Sequence, residues 1–443
     1  MRSAPPALLL TSALLASTLP GCPAPTDPPP PDSSPPPTTL SVRLLPPDRL
    51  PEPLDENPAF PEGLDLAESL GLTEIQQAPG EPRTLRDELV PGWTAPAAGR
   101  RSLWLFLHQT DAQIADAESP TRVMSLDAPA ASESAARPQE LFAIHTLDAT
   151  IRTANALSEL APIDFALATG DNADSSQRNE LGWFIDVWDG ATVRPDAGSD
   201  GAQREPSGLD PLDAFTPAGA DFPWYAVAGN HDVLVQGNFD PAPYSEAVLG
   251  FEAPLGTRDL DLPGGPLTDF TVPDPDRALL DRSGYAARMR ESGPNPGPLG
   301  HGFSEEDVAA GEVGWSATPV PNVPIALISV DANPPGPGSP VLTVDERETW
   351  LLPALQRARD GGQLVVLTSH YALGGAAMED GGTVGDLLGD WPEVVLVVCG
   401  HSHRNAVRAF GDAEDPDAFW QIETTSTIDW PQQGRLVELV DNG

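Results

Sequence analysis

Five apolar, β-prone runs in this sequence each end in side chains that can bind cations. Asp111 and Gln113 follow RSLWLFLHQT, Gly170-Asp171-Asn172 follows DFALAT, and Gly229-Asn230-His231-Asp232 follows WYAVA. His370 closes QLVVLTSH, and Gly400-His401-Ser402-His403 follows VVLVVC. Asp, Asn, Gln and His offer oxygen or imidazole lone pairs, the donor types that hold divalent transition ions. Open α/β sheets place their sites in the crevice beyond the carboxyl ends of their strands. Five such ends would therefore converge on one metal centre built from distant parts of the chain. Singly, each motif is weak: Gly-Asp is a common turn, and Gly-Asn-His-Asp fits a loop with left-handed backbone. Gly-His-Ser-His is stronger, because two imidazoles flank one residue after a buried strand. Their ordered occurrence together carries the reading.

The elements that must position these residues alternate between β and α patterns from Arg101 onward. RSLWLFLHQT, IDFALATG, FPWYAVAGN, PIALISVD, QLVVLTSH and EVVLVVCGH read as strands. QELFAIHTLDATIRTANALSEL reads as an amphipathic helix with Leu141, Ile144, Leu147, Ile151, Ala154, Leu157 and Leu160 on one face. NELGWFIDVWDG is a second helix, closed by Gly190, and residues 344–359 a third, in which Pro353 marks a kink or the first turn. Residues 233–320, rich in Pro, Gly and Asp, read as an insertion whose loops wall the site. Residues 39–99 read as an extension packing on the main domain of 100–443, with a strand in LSVRLL and a short helix from Leu64 to Leu72. The final RLVELVDNG carries a hairpin signal with no partner strand after it, which reads either as a chain stopping short of the fold's natural end or as a natural frayed end.

At 443 residues and 40% apolar, the chain can bury a sizeable core. Its formal net charge is -42 and it has no lysine, which argues against nucleic acid or anionic lipid as a binding surface. Anionic substrates would meet the same field, but a local metal pair reverses it. Two divalent ions against two carboxylates and a hydroxide leave about +1 at the site. Distant surface charge is screened over about 8–10 Å.

The two cysteines form no disulfide framework. Cys399, inside an apolar strand, reads as a core residue. Cys22 follows Arg2, the apolar ALLLTSALLASTL and Leu19-Pro20-Gly21, an export signal too short to span a bilayer stably. This resembles a bacterial lipoprotein signal over residues 1–21, which implies lipidation of Cys22 and a periplasmic or cell-surface location; a plain secretory signal is the alternative. Residues 22–38, nine of them proline, read as an extended tether.

Taken in order, the motifs resemble the calcineurin-like metallophosphoesterases, whose pattern is D-x-H, G-D, G-N-H, a separate H and G-H-x-H. The resemblance covers roughly residues 101–430. It implies an α/β fold, a four-layer α/β/β/α sandwich of two mixed sheets flanked by helices. It also implies a phosphomonoesterase or phosphodiesterase with a dinuclear metal centre and a bridging hydroxide. Carried over, Asp171 would bridge both ions, Asp111, Gln113 and His403 would complete one shell, and Asn230, His370 and His401 the other. His231 would stabilise the phosphoryl group or protonate the leaving oxygen, with Asp232 orienting its ring. Gln113 departs from the pattern's usual His; its neutral amide oxygen is a harder, weaker ligand and favours Mn or Fe over Zn. ESPTRVMSLDAP, RPQELFAIHTLDATIRTANAL and GDNADSSQRNELGWFIDVWDG resemble large exported bacterial members, in which Asn172 and Asp174 would line the cleft.

The rival expectation is a catalytically weak or inactive surface lipoprotein that keeps the fold for binding or scaffolding. Intact Asp171, Asn230, His231, His401 and His403 disfavour it. A redox metalloenzyme lacks a Tyr or Cys among the candidate ligands. Of the other histidines, His108 points to the opposite strand face from Asp111, His145 sits at a helix edge, and His301 is either irregular-loop packing or a cleft-rim group. Trp183 and Trp188 read as helix–sheet packing.

Overall fold

The computed structural model describes residues 36–45, 76–94, 99–122, 137–195, 211–251, 257–258, 267–268, 272–413 and 415–442. The signal-like segment, Cys22, most of the tether and the helix expected at Leu64–Leu72 lie outside them. Among the described residues no helix is long and apolar enough to cross a membrane.

In chain order, the elements begin with an antiparallel pair, β1 (Val42–Leu45) and β2 (Gln76–Pro79). Then come β3 (Arg101–Gln109), α1 (Ala143–Ser158), β4 (Phe165–Thr169), α2 (Arg178–Asp189) and β5 (Trp224–Val227). Next are α3 (Arg282–Met289), α4 (Glu305–Ala310), β6 (Ser316–Ala317) and β7 (Ile325–Ser329). The chain continues through α5 (Leu352–Asp360), β8 (Leu364–Thr368), α6 (Val384–Leu388) and β9 (Val394–Cys399). It closes with β10 (Ala406–Phe410), β11 (Phe419–Glu423) and β12 (Arg435–Asp441).

Two sheets carry the fold. One has the order β12-β3-β4-β5, the other β10-β11-β9-β8-β7-β6. In the first, β3, β4 and β5 run parallel and β12 pairs antiparallel with β3. In the second, β7, β8, β9 and β11 run parallel between antiparallel edges. Strands buried on both faces read as continuous apolar runs, which is why β4 and β7 are buried along their whole length.

One core joins Ile144, Leu147 and Ile151 of α1 and Phe184 and Trp188 of α2 to the first sheet, and that sheet to Leu327, Val366 and Val398 of the second. A second core packs Ile328, Leu367 and Val397, from the opposite face of that sheet, against Ala354 and Leu355 of α5 and Val384 and Leu388 of α6. The layers are helix, sheet, sheet, helix, as expected.

Some finer expectations are met and others corrected. The stripe of α1 ends near Ala154, and Leu160, beyond the last turn, is 64% exposed. The third helix begins with a wide π-type turn, Glu346–Leu351, before α5, whose first turn holds Pro353. Residues 233–320 contain α3 and α4, too short for a clear apolar period, each opened by a capping side chain, Asp281 or Ser304. His301 is no rim group. It is fully buried, stacked on Trp224 at 3.3 Å between ring centroids, bonded to the Trp224 carbonyl and Ser292, and pushed down by burial to about 3. Trp188 also stacks on Trp224, 5.4 Å between ring centroids. His108 is a core histidine between Thr169 and Thr424, pushed down to about 3 by burial. His145 is half-buried against Phe215 and the Pro211 carbonyl.

Candidate metal centre

The carboxyl ends of β3, β4 and β5 meet those of β8 and β9 in one crevice. The loops after β3 and β4 are laced together: Asp111 N–H donates to the Gly170 carbonyl at 3.0 Å, and Gln113 N–H to the Asp171 carbonyl at 2.8 Å. Gly400 N–H donates to the His370 carbonyl at 2.9 Å, joining the loops of the second sheet. Close approach explains two of the motif glycines. A Cβ on Gly229 would fall 2.1 Å from Asp171 Oδ1, and one on Gly400 would fall 1.9 Å from Thr110 Oγ1. Space, not left-handed backbone, requires Gly229.

Five of the seven candidate ligands do have left-handed backbone: Asp111 (φ 52°), Gln113 (43°), Asp171 (53°), His401 (66°) and His403 (51°). Such conformations cost on the order of 1–3 kcal/mol each and persist where the surroundings over-determine them. Here they turn side chains from strand ends inward.

The donors form two clusters that share Asp171. In one, His370 Nε2 lies 3.1 Å from Asp171 Oδ2, 3.1 Å from Asn230 Oδ1 and 3.2 Å from His401 Nδ1. In the other, Asp111 Oδ1 lies 3.1 Å from His403 Nε2, and Gln113 Nε2 donates to Asp171 Oδ2 at 3.5 Å. The clusters adjoin, with His370 Nε2 3.9 Å from Asp111 Oδ1.

Hydrogen bonds outside the clusters decide which atoms face in. His370 Nδ1 donates to the Thr169 carbonyl, leaving the Nε2 lone pair inward. Asn230 Nδ2 donates to the Gly237 carbonyl, leaving Oδ1 inward. His403 Nδ1 bonds Asp429 Oδ2, and Ser426 and Thr425 hold the Asp111 and His403 carbonyls.

This donor set fits divalent cations. Around His370, acceptors face acceptors, and among the described residues the buried Gln113 Oε1 has no hydrogen-bond partner. Ligand bonds of about 2.1 Å place adjacent octahedral donors about 3.0 Å apart, close to the separations here. Electrostatics point the same way. Burial opposes charge on the His370 ring, yet Asp171 and Asp111 outweigh it and lift it to about 9. Burial likewise opposes charge on His403, but Asp111 and Asp429 raise it to about 10. His401, with burial and His370 both against it, falls to about 4. The carboxylates thus demand positive charge among these rings, and bound cations supply more of it than protons do.

His231 is buried beside this set with Nε2 3.9 Å from Asp171 Oδ2. Its Nδ1 donates to the Asp174 carbonyl at 2.8 Å, with Asp174 Oδ1 at 3.4 Å. Burial opposes its protonation, but Asp171 and Asp174 raise its pKa.

Three expectations about neighbouring residues are corrected. Asp232 does not orient His231. Its carboxylate turns back to accept N–H groups of Gly229, Asn172 and Ala173, and burial with the nearby Asp171 charge pushes it up to about 7. Asp174 occupies the orienting place instead, buried and gripped by Arg122, rather than lining a cleft. Asn172 is fully buried too, its amide donating to the Val227 carbonyl and the Tyr285 hydroxyl.

Sequence reasoning missed Asp429, Arg137 and Tyr371. The first two carry no local signal. Tyr371 packs against the His401 ring, 4.3 Å between centroids, and its only signal is its place beside His370.

Gln113→His should tighten binding at the Asp111–His403 cluster by about tenfold and shift its preference towards Zn, since imidazole is the softer donor. Calorimetric titration of metal-free protein with Mn and Zn checks this. Unchanged affinities would remove Gln113 from the ligand set.

No protein-family model matches the chain, and no curated protein does. Among solved structures, it is similar to a dimetal phosphatase from Danio rerio: 13% identity, TM-score 0.37, covering 75% of this chain and 90% of that one. It is also similar to GAP50, the anchor in the inner membrane complex of Plasmodium: 11% identity, TM-score 0.30, 73% and 71% covered. A third is the Thermus thermophilus sulfate thiohydrolase SoxB in complex with glycerol: 13% identity, TM-score 0.30, 78% and 58% covered. Likenesses this distant carry no argument about chemistry, which rests on the centre's own geometry.

Proposed function

We propose that this chain is a metal-dependent phosphoester hydrolase with a dinuclear centre of the metallophosphoesterase type. The observation that carries the reading is the pair of donor clusters sharing Asp171, with His231 Nε2 beside the shared carboxylate. Bound there, two divalent ions, Mn or Fe in preference to Zn, would lower the pKa of a water and clamp the oxygens that gain charge.

The chain's own residues do the rest. Asp171 offers a carboxylate to both clusters. Asn230, His370 and His401 would hold one ion, and Asp111, Gln113 and His403 the other. The Thr169 carbonyl fixes the His370 tautomer. The Asp174 carbonyl accepts the hydrogen bond from His231 Nδ1–H and so aims Nε2 inward, where it can hold a proton for the departing oxygen. Export with lipid attachment at Cys22 belongs to the same proposal and rests on the N-terminal sequence pattern alone.

Metal-free protein reloaded with Mn should bind two ions per chain and cleave p-nitrophenyl phosphate or its bis-ester. Fewer than one ion per chain would favour a binding or scaffolding protein. Two bound ions without turnover on a broad ester panel would overturn the hydrolase reading.

A further inference from the structure

Two carboxylates behind different imidazoles of the centre meet on one guanidinium. Asp429 Oδ2 accepts from His403 Nδ1, and its Oδ1 accepts from Arg137 Nε at 2.8 Å. Asp174 Oδ1 lies 3.4 Å from His231 Nδ1 and 3.9 Å from Arg137 Nη1. His403 stands on the loop after β9 in the larger sheet, and His231 on the loop after β5 in the smaller one. Arg137 therefore spans the two sheets' contributions. Its own position is fixed: it caps the short helix Pro138–Phe142, its N–H donating to Glu140 Oε2 at 3.0 Å. The same oxygen accepts from Arg122 Nη2 at 2.6 Å, and Arg122 Nη1 bonds Asp174 Oδ2. Arg137 is 5% exposed and Asp174 1%, so solvent screens these charges little.

Resting on the hydrolase reading, we propose that Arg137 is a positioning residue coupling the ring that would ligate one ion, His403, to the ring that would serve the leaving oxygen, His231. A guanidinium is planar, permanently charged and forked, so it can fix two carboxylates at once. An ammonium at the same place presents one point charge and reaches one of them.

The test uses Arg137→Gln and Arg137→Lys in the full chain. In Arg137→Gln, Mn affinity at the Asp111–His403 cluster should fall about tenfold, the scale of loss when a group orienting a ligand is removed. Affinity at the other cluster should stay within about twofold. Turnover of phenyl phosphate should fall about tenfold further than that of p-nitrophenyl phosphate, because the poorer leaving oxygen depends more on a well-placed proton. Asp429→Asn should reproduce only the metal effect, and Asp174→Asn only the leaving-group effect.

Arg137→Lys preserves charge and keeps the test open should the Gln variant not fold; it should show one of the two effects, not neither. A lowered Tm with unchanged Mn affinity and unchanged leaving-group ratio would make Arg137 merely structural and overturn the coupling. Failure of the hydrolase reading looks different. It appears in the wild-type chain, as bound metal without turnover, and removes the leaving-group half of the inference, while the Mn titrations still decide the metal half.

Discussion

Asp171→Asn should leave at most one ion per chain and lower turnover on the order of 10³-fold or more, equivalent to several kcal/mol of lost transition-state stabilisation. The substitution is nearly isosteric. Asp171 Oδ1 accepts the His231 N–H at 2.8 Å, and an amide oxygen can accept the same bond, so the loop should keep its shape. Oδ2 is different: it faces His370 Nε2 at 3.1 Å and the Gln113 amide at 3.5 Å, one group in each cluster. A neutral amide removes the carboxylate charge that both clusters share, and its NH₂ would point a donor at a cation. Metal analysis and steady-state kinetics with excess Mn check the result, with circular dichroism to confirm folding. Two tightly held ions and undiminished turnover would sink the bridging role.

His231→Gln should separate chemistry from metal binding. The His231 ring lies beside the clusters without joining them, Nε2 being 3.9 Å from Asp171 Oδ2, against 3.1–3.2 Å among the donors around His370. Both ions should remain, while kcat falls by roughly 10²–10⁴, the contribution typical of a placed general acid. The loss should be larger for phenyl phosphate than for p-nitrophenyl phosphate. Loss of an ion in place of kcat would make His231 a ligand and dissolve the division of roles.

The sequence showed which donors exist and that each follows a strand, because strand periodicity and loop-flanking glycines are local properties. The alternation of apolar strands with amphipathic helices showed an α/β fold; the helix–sheet–sheet–helix layering was implied by the resemblance of the ordered motifs, not by periodicity. Locality is also where it went wrong. Asp232 looked like the partner of His231 because the two are adjacent. The chain instead folds Asp232 back onto the Gly229, Asn172 and Ala173 N–H groups and brings up Asp174, 57 positions away. Helices α3 and α4 went unread because 8 and 6 residues hold too little period to separate from loop.

What the sequence alone determined about this protein is the inventory of lone pairs and their order along the chain. Only the tertiary structure decided which of them meet. Asp429 reaches His403, and Arg137 reaches Asp429 across 292 positions, through loop contacts that leave no pattern in either segment. The left-handed backbone of Asp111, Gln113, Asp171, His401 and His403 has the same origin. It is unfavourable for each residue by itself, so no local propensity announces it, and it persists because the packing of both sheets holds it there.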